Sequence, residues 1–567
     1  GLAHLVWESA LRTPDAAAAL AGPRPEALTP AQARAVADIV AAVQRGRGEA
    51  VVLFGVTGSG KTEVYLRAIA ECLAAGGGAI VLVPEIALTP QMVARFVDRF
   101  GSRVAVLHSG LSAGEKRDEW SRIRRGEARI VVGARSAVFA PVQGLKLIIV
   151  DEEHEPSYKQ EETPHYDARD VARWRAQYRG GVVVYGSATP SLEAMHEVEQ
   201  GRARLLTLPT RVHGGPLPPV QIVDMREELR SGNRSIFSRA LADGLERTVT
   251  AGHQAMLFLN RRGYAAFVLC RNCGAILQCP HCDISLTVHK GAAGEGALVC
   301  HYCGFAAALP DACPDCGEAV LRPFGIGTQQ VEEAIRARWP LWRVARMDVD
   351  TTRRKGAHRE VLEAFYRNEL DVLVGTQMIA KGLDVPNVAF VGVVMADTML
   401  AVPDFRAAER TFDLLTQVVG RAGRAEVPGE TVIQTFQPDH YAILAAARHD
   451  YAAFYRQERA LRERFFYPPF CELAVFVAVH ADPGIARGAA ARFERELRRR
   501  LGPQHEVLPA VPAAVPRVQN RFRYQVVIKY RRWPDVQAAV TAAYTLVEAR
   551  LRRYGGACRL DVNAGRI

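Results

Sequence analysis

The chain has 567 residues, too many for one core, and 49% of them are hydrophobic, ample for three or four globular domains. Its 72 Lys and Arg against 61 Asp and Glu leave a formal charge of +11, which favours a polyanionic partner. No apolar run approaches membrane-spanning length and the start, GLAHLVWES, carries no signal core, so a soluble cytoplasmic protein without a membrane partner is expected.

Residues 1–27 are Ala- and Pro-rich and begin at Gly rather than Met, as the remnant of a preceding domain or linker would. A helical period then starts at Leu28, with Thr29 as a cap and Gln32 in the first turn, where its paired donor and acceptor suit an adenine edge. The apolar run Val51 to Phe54 breaks into Gly55-Val56-Thr57-Gly58-Ser59-Gly60-Lys61-Thr62 and a helical pattern follows. Strand, Gly-rich loop and helix in that order make a phosphate loop, G-x-x-x-x-G-K-[ST]. Its backbone N–H groups cradle phosphates, Lys61 reaches the β- and γ-phosphates, and Thr62 holds Mg²⁺.

Further apolar runs at 79–83, 104–107, 129–132, 145–150 and 182–185 alternate with helical patterns, which predicts a parallel sheet with crossover helices. Ligands of such sheets lie at the carboxyl ends of the strands. There, after LKLIIV, stand Asp151 and Glu152, the first suited to Mg²⁺ and the second to orienting the attacking water. A second strand end runs into Gly186-Ser187-Ala188-Thr189-Pro190.

Residues 208–232 read as a Pro/Gly-rich linker, after which the alternation resumes. Asn260-Arg261-Arg262-Gly263 follows an apolar strand, and Arg261 is a candidate for a strand phosphate. Eight of the 11 cysteines fall in four C-x-x-C pairs. Cys279/Cys282 and Cys300/Cys303 are separated by 17 residues, inside the zinc-ribbon window, and closing them brings Cys270, Cys273, Cys313 and Cys316 together as a second site. Pairing in sequence order would leave spacers of only 5 and 9 residues. Two structural zincs, each held by four cysteines, are therefore expected, with iron–sulfur as the rival, and His281, His289 and His301 are read as surface residues.

Beyond residue 325 a second strand and helix alternation carries Thr376 and Lys381 after a strand end, where a phosphate contact fits. Arg421 and Arg424 in QVVGRAGR are three apart, and their planar guanidinium forks match γ-phosphate oxygens. Acting from the opposite lobe, Arg424 first and Arg421 second are candidates for an arginine finger. The last hundred residues change character, and RFRYQVVIKYRRW interleaves bases with Phe522, Tyr524, Tyr530 and Trp533, as a nucleic-acid face would.

GVTGSGKT, DEEH and GSATP together resemble the superfamily 2 helicases. VPEIALTPQ (83–91), GARSAVFAP (133–141), DEEHEPSYKQEETPHYDARDVA (151–172), DVDTTRRKGA (348–357) and PDFRAAER (403–410) narrow this to a resemblance to the primosomal protein N′ family of bacterial replication-restart helicases. The resemblance implies two tandem RecA-like lobes with a zinc-binding insertion in the second and a small α+β DNA-binding C-terminal domain. The expected boundaries are 28–207 for the first lobe, 233–265 with 325–467 for the second, 266–324 for the insertion and 468–567 for the C-terminal domain. It also implies an aromatic-rich loop from Tyr158 to Tyr166, where Tyr158, Lys159, His165 and Tyr166 offer stacking planes beside a positive charge.

The implied activity is an ATP-dependent 3′–5′ DNA helicase acting at stalled forks. Its partners would be single-stranded and forked DNA, ATP, and primosome proteins including single-strand binding protein and the replicative-helicase loader. Alternatives are a DNA-bound primosome scaffold with secondary ATPase, and an RNA helicase. The family's N-terminal 3′-end-binding domain and winged helix have too little sequence before residue 28 to be accommodated.

Overall fold

The computed structural model describes residues 27–84, 90–212, 218–259, 267–282, 284–290, 296–324, 327–348, 357–376, 379, 385, 387–423 and 429–564. The chain divides into two compact units, Gly1–Pro216 and Leu217–Ile567.

In the first unit the apolar runs become strands of one parallel sheet. They are β1 (Glu49–Gly55), β2 (Gly78–Leu82), β3 (Val104–Leu107), β4 (Ile130–Gly133), β5 (Leu145–Asp151), β6 (Val182–Ser187) and β7 (Arg204–Leu208), in the spatial order β3-β4-β2-β5-β6-β1-β7. Both faces are covered, which is why the runs are continuously apolar rather than alternating. Val51, Leu53, Val81, Ile149 and Val184 face α1 (Pro30–Arg45) and α2 (Lys61–Ala74). Ile80, Ile148 and Val183 face the helices Ala113–Arg125 and Ala168–Arg179. Each such side chain taken fully out of water stabilises the sheet by about 1.5–3 kcal/mol. The order places the ends of β1, β6 and β5 side by side, so Gly55, Ser187 and Asp151 open on one rim.

The second unit holds a six-stranded parallel sheet of β8 (Val220–Asp224), β9 (Gln254–Leu259), β15 (Val344–Met347), β16 (Val372–Gly375), β17 (Val388–Met395) and β18 (Glu430–Thr435), in the order β15-β16-β9-β17-β18-β8. This corrects the expected 208–232 linker at both ends. Leu208 is the last residue of β7, and β8 pairs with Thr431–Thr435 as the edge of the second sheet. A half-exposed five-residue edge strand preceded by prolines carries no local signal, and its partner lies some two hundred residues later.

Between β9 and β15 the insertion forms an antiparallel pair, β10 (Phe267–Cys270) with β14 (Leu321–Phe324), and a three-stranded sheet of β11 (Thr287–Lys290), β12 (Gly296–Val299) and β13 (Ala306–Ala308). The C-terminal region forms an antiparallel sheet of β19 (Glu472–His480), β20 (Glu506–Val507), β21 (Val511–Val518), β22 (Arg521–Tyr530) and β23 (Ala557–Val562). The helices Pro483–Arg500 and Trp533–Arg553 cover one face of it. Tyr530 is wholly buried beneath them and presents no ring to a base, whereas Phe522 is half-buried with the Arg517 guanidinium 5.2 Å from its ring centre.

The helix Tyr441–Ala447 is capped by His440, whose Nδ1 accepts from the Ala442 N–H at 3.2 Å, and burial pushes this imidazole down to about 4. A protonated ring has no lone pair for the cap. Because the folded value lies below the ordinary 6.5, the contribution is complete above pH 6.5 and is lost as the pH falls through 6.5 towards 4. Melting temperatures at about pH 7.5 and 5 should therefore differ less in His440→Asn, a cap that does not titrate, than in the unsubstituted chain. Equal pH dependence of the two would refute this.

Candidate nucleotide site, zinc centres and nucleic-acid face

The phosphate loop leaves β1 at Gly55 and α2 begins at Lys61. Gly58 and Gly60 have φ of 83° and 77°, a conformation that side chains resist. A Cβ on Gly60 would also collide with Gln32 Nε2, so glycine is required there twice over. The Lys61 ammonium donates to the Gly55 carbonyl at 2.9 Å.

Gln32 is 4% exposed and fastens α1 to the loop. Its Oε1 accepts from Thr29 N at 2.9 Å and its Nε2 donates to Ser59 O at 2.9 Å. Residues leaving β7 close the other side, where Val56 N donates to Leu208 O at 3.2 Å and Val212 N to Gly58 O at 3.1 Å.

Asp151 ends β5, and Tyr65 of α2 donates its hydroxyl to Asp151 Oδ1 at 2.8 Å. Burial first, and the neighbouring Glu152 second, push the Asp151 carboxyl up to about 6, with Lys61 opposing them. A divalent cation would restore the charged form. Gly186 pairs with Asp151 across the sheet, and a Cβ on it would overlap the Tyr65 hydroxyl. Gly186→Ala is therefore expected to displace Tyr65 and Asp151 together and to lower ATP hydrolysis by about 10-fold or more, with Tyr65→Phe milder. Steady-state rates check this, and wild-type turnover in Gly186→Ala would sink it.

Glu152 stands at φ 47°, held there by a turn in which Glu155 N donates to Glu152 O at 2.9 Å and Glu153 N to Gly186 O at 3.1 Å. His154 Nδ1 lies 2.7 Å from Ser187 Oγ, which also accepts from Thr189 N at 2.9 Å, so the turn after β5 is tied to the turn after β6. Glu153 is buried and accepts from Ser191 N and Oγ at 2.6 and 3.0 Å, and burial pushes its carboxyl up to about 7. Sequence reasoning did not assign Tyr65, His154 or Ser187. The hydroxyls of GSATP were visible, but their partners were not.

Two expected nucleic-acid contacts are corrected. Tyr158 is 1% exposed, with its hydroxyl 2.6 Å from Asp151 O and 3.0 Å from Leu82 O. Lys159 is 6% exposed, and its backbone carbonyl accepts from Arg135 at 2.8 Å. Neither offers a plane or a charge to a strand. His165 and Tyr166 are half-buried, and Tyr166 meets Phe139 edge to face at 4.9 Å with the Arg135 guanidinium 5.9 Å from its ring centre. Phe139 is 47% exposed. Thr376 follows β16 and is half-buried. Arg421 follows the helix Ala407–Val419 and lines a small cavity with Met256, Phe258, Val391 and Val418. Arg261, Lys381 and Arg424 lie outside the described residues.

The cysteines gather as two sets, Cys270, Cys273, Cys313 and Cys316, and Cys279, Cys282, Cys300 and Cys303, with all sulfurs of a set within 4.8 Å of one another. Cys270–Cys316, Cys273–Cys313 and Cys279–Cys303 are each 3.6 Å apart. Four thiolates at ~2.3 Å from one ion lie about 3.8 Å apart in a tetrahedron, so both sets fit a structural zinc. Gly274, Gly304 and Gly317, all at positive φ, turn three of the knuckles back onto Cys270, Cys300 and Cys313.

The two centres hold different neighbours. Arg226 and Arg230 donate to the carbonyls of Cys273 and Asn272 at 2.9 and 3.1 Å, beside the second sheet. The other knuckle packs on the C-terminal sheet, where the Tyr467 hydroxyl donates to Cys282 O at 3.1 Å. His301, expected at the surface, is 2% exposed, with Nδ1 3.1 Å from Pro512 O and its carbonyl accepting from Gln525 Nε2. This packing surface exists only once the two regions meet.

Residues 29–198 match the DEAD/DEAH box helicase model and 324–426 the helicase conserved C-terminal domain. Residues 279–307 match the PriA DNA helicase Cys-rich region and 463–564 the primosomal protein N C-terminal domain. The chain is 51% identical over 538 residues to the replication restart protein PriA of Bacillus subtilis, covering 95% of this chain and 66% of that one. It is 48% identical to that of Synechocystis sp. over 89% of this chain and 61% of that one, and 44% identical to that of Treponema pallidum over 85% and 72%. The chain thus spans somewhat under two thirds of the length of the first two relatives. Helicase domains, a zinc ribbon and a C-terminal domain of one family, together with identity across nearly the whole chain, establish that it belongs to the PriA family of replication restart proteins.

Proposed function

We propose that this chain is an ATP-driven DNA helicase that translocates 3′ to 5′ on single strands, binds branched forks, and starts primosome assembly leading to loading of the replicative helicase. The observation that carries the reading is the one rim of the sheet at which Lys61, opening α2 after β1, and the Tyr65-held Asp151, ending β5, both stand. Bound Mg–ATP supplies the scissile phosphoanhydride and a cation that neutralises its charge.

In this reading Thr62 and Asp151 hold the cation, Lys61 and the N–H groups from Gly55 to Thr62 cradle the phosphates, and Glu152 orients water. Gln32, whose amide keeps one N–H and one lone pair beyond its two bonds, reads the adenine edge. Arg421 and Arg424 meet the transition-state charge. His165 and Tyr166 with Phe139 and Arg135, and Arg261, Thr376 and Lys381, contact the strand. In this reading the domains keep the expected bounds, except that β8, which pairs with β18, is counted in the second lobe. Fork and primosome functions, with single-strand binding protein and the loader as partners, are what the family resemblance implies, and the relatives' names support replication restart.

The test is ATP hydrolysis against single strands, duplexes, forks and RNA, with unwinding of 3′- and 5′-tailed duplexes. Stimulation by single-stranded DNA and opening from the 3′ tail are expected. No stimulation, or equal stimulation by RNA, would remove the reading.

A further inference from the structure

Arg462, on the helix Tyr451–Arg464, has a side chain only 2% exposed. It donates to Glu409 Oε2 at 2.9 Å, Glu458 Oε1 at 2.7 Å and Pro468 O at 3.0 Å, and its guanidinium lies 4.7 Å from the centre of the Phe405 ring. Phe405 stacks on Tyr467 at 4.8 Å and 10°, and donates its N–H to the Tyr302 hydroxyl at 3.3 Å. Tyr467 in turn donates to Cys282 O. One buried contact therefore joins the second zinc knuckle, the entry to the C-terminal domain and the first turn of the helix Ala407–Val419. A buried ion pair is a poor device for stability alone, since packed apolar groups commonly serve as well. An ion pair with a ring stack also sets the distance and angle between the parts it joins.

That helix is a stiff lever. Phe412, Leu414, Leu415, Val418 and Val419 are buried, Phe412 stacks on Phe454 at 4.2 Å, and Arg421 N continues the turn by donating to Val418 O at 3.0 Å. From Glu409 to Val419 it spans about 15 Å at ~1.5 Å per residue, and Arg421 follows in the next turn. A shift at Glu409 would therefore carry to Arg421.

We propose that Phe405 and Arg462 couple bound DNA to ATP hydrolysis, and take no part in hydrolysis without it. Through them the body formed by the second zinc knuckle and the C-terminal domain sets the placement of Arg421, so that DNA bound by that body raises turnover. The proposal rests on the hydrolytic reading of Arg421.

Arg462→Ala would leave Glu409 and Glu458 without their shared cation and endanger folding, so Phe405→Leu, which keeps every ion pair, carries the test, with Arg462→Lys beside it. Hydrolysis by the whole chain is measured with and without an oligo-dT strand, together with strand affinity by anisotropy, melting temperature, and zinc content by native mass. Phe405→Leu is expected to lower strand-stimulated kcat about 10-fold, leaving basal rate, KM for ATP, strand affinity and two zincs unchanged, with Arg462→Lys closer to the unsubstituted chain. Undiminished stimulation overturns the proposal, as does a loss shared equally by the basal rate or accompanied by loss of zinc. Absence of stimulation in the unsubstituted chain removes the underlying reading, and this proposal with it.

Discussion

Lys61→Ala is expected to lower kcat for ATP hydrolysis at least about 100-fold while leaving the fold and both zincs in place. The ammonium donates only to the Gly55 carbonyl in the described contacts, at a loop end that is partly open to water, and its removal raises the Asp151 carboxyl further without unpacking any apolar side chain. Alanine at the first position of α2 favours the helix. The loss therefore falls on the stabilisation of charge that builds up on transferred phosphate. Glu152→Gln should match the rate loss while keeping nucleotide affinity, because under the proposed function it changes the group that orients water and not the cradle. Rates and nucleotide affinity measured together separate the two. If Lys61→Ala hydrolysed ATP at the unsubstituted rate, the assignment of this loop would be wrong. If fork-dependent loading of the replicative helicase persisted in Lys61→Ala, the chain would serve chiefly as a DNA-bound scaffold.

Cys300→Ser and Cys273→Ser are each expected to lose one zinc of two, with different consequences. A structural zinc contributes apparent binding free energy of about 10–16 kcal/mol, comparable with the whole stability of a domain, so losing one thiolate unravels its knuckle. Cys300 is wholly buried beside Tyr302, in a core that continues into Leu473, Val475 and Val527 of the C-terminal sheet. Its loss should free that sheet, and limited proteolysis should cut between the insertion and residues near 467. Cys273 instead presents its carbonyl to Arg226, and its loss should expose the edge beside β8 while leaving the C-terminal domain attached. Native mass counts the metals and proteolysis maps the release. Identical cleavage in the two variants would show that the centres do not divide the work, and two retained zincs in either would undo the cysteine partition.

Much of this protein was legible from local chemistry. The strand, glycine turn and helix from Val51 onwards, the fully apolar strands of two covered parallel sheets and the nesting of the C-x-x-C pairs each depend on residues close in sequence, on chain geometry that tolerates few alternatives, or on a metal that only closed loops of thiolates satisfy. The Asp151 site was half legible. A carboxylate after an apolar strand could be named, but Tyr65, 86 residues earlier, and the Gly186 gap that admits its hydroxyl could not.

The amino-acid sequence by itself determined the two RecA-like parallel sheets, the phosphate loop and the two sets of four thiolates. Only tertiary structure decided that Tyr158 and Lys159 are buried, that His301 is a packing residue, that Val220–Asp224 is an edge strand, and that Arg462 and Phe405 meet. The reason is physical: burial and pairing belong to surfaces that distant segments make together, and a side chain able to stack on a base is equally able to close a core until its neighbours are in place.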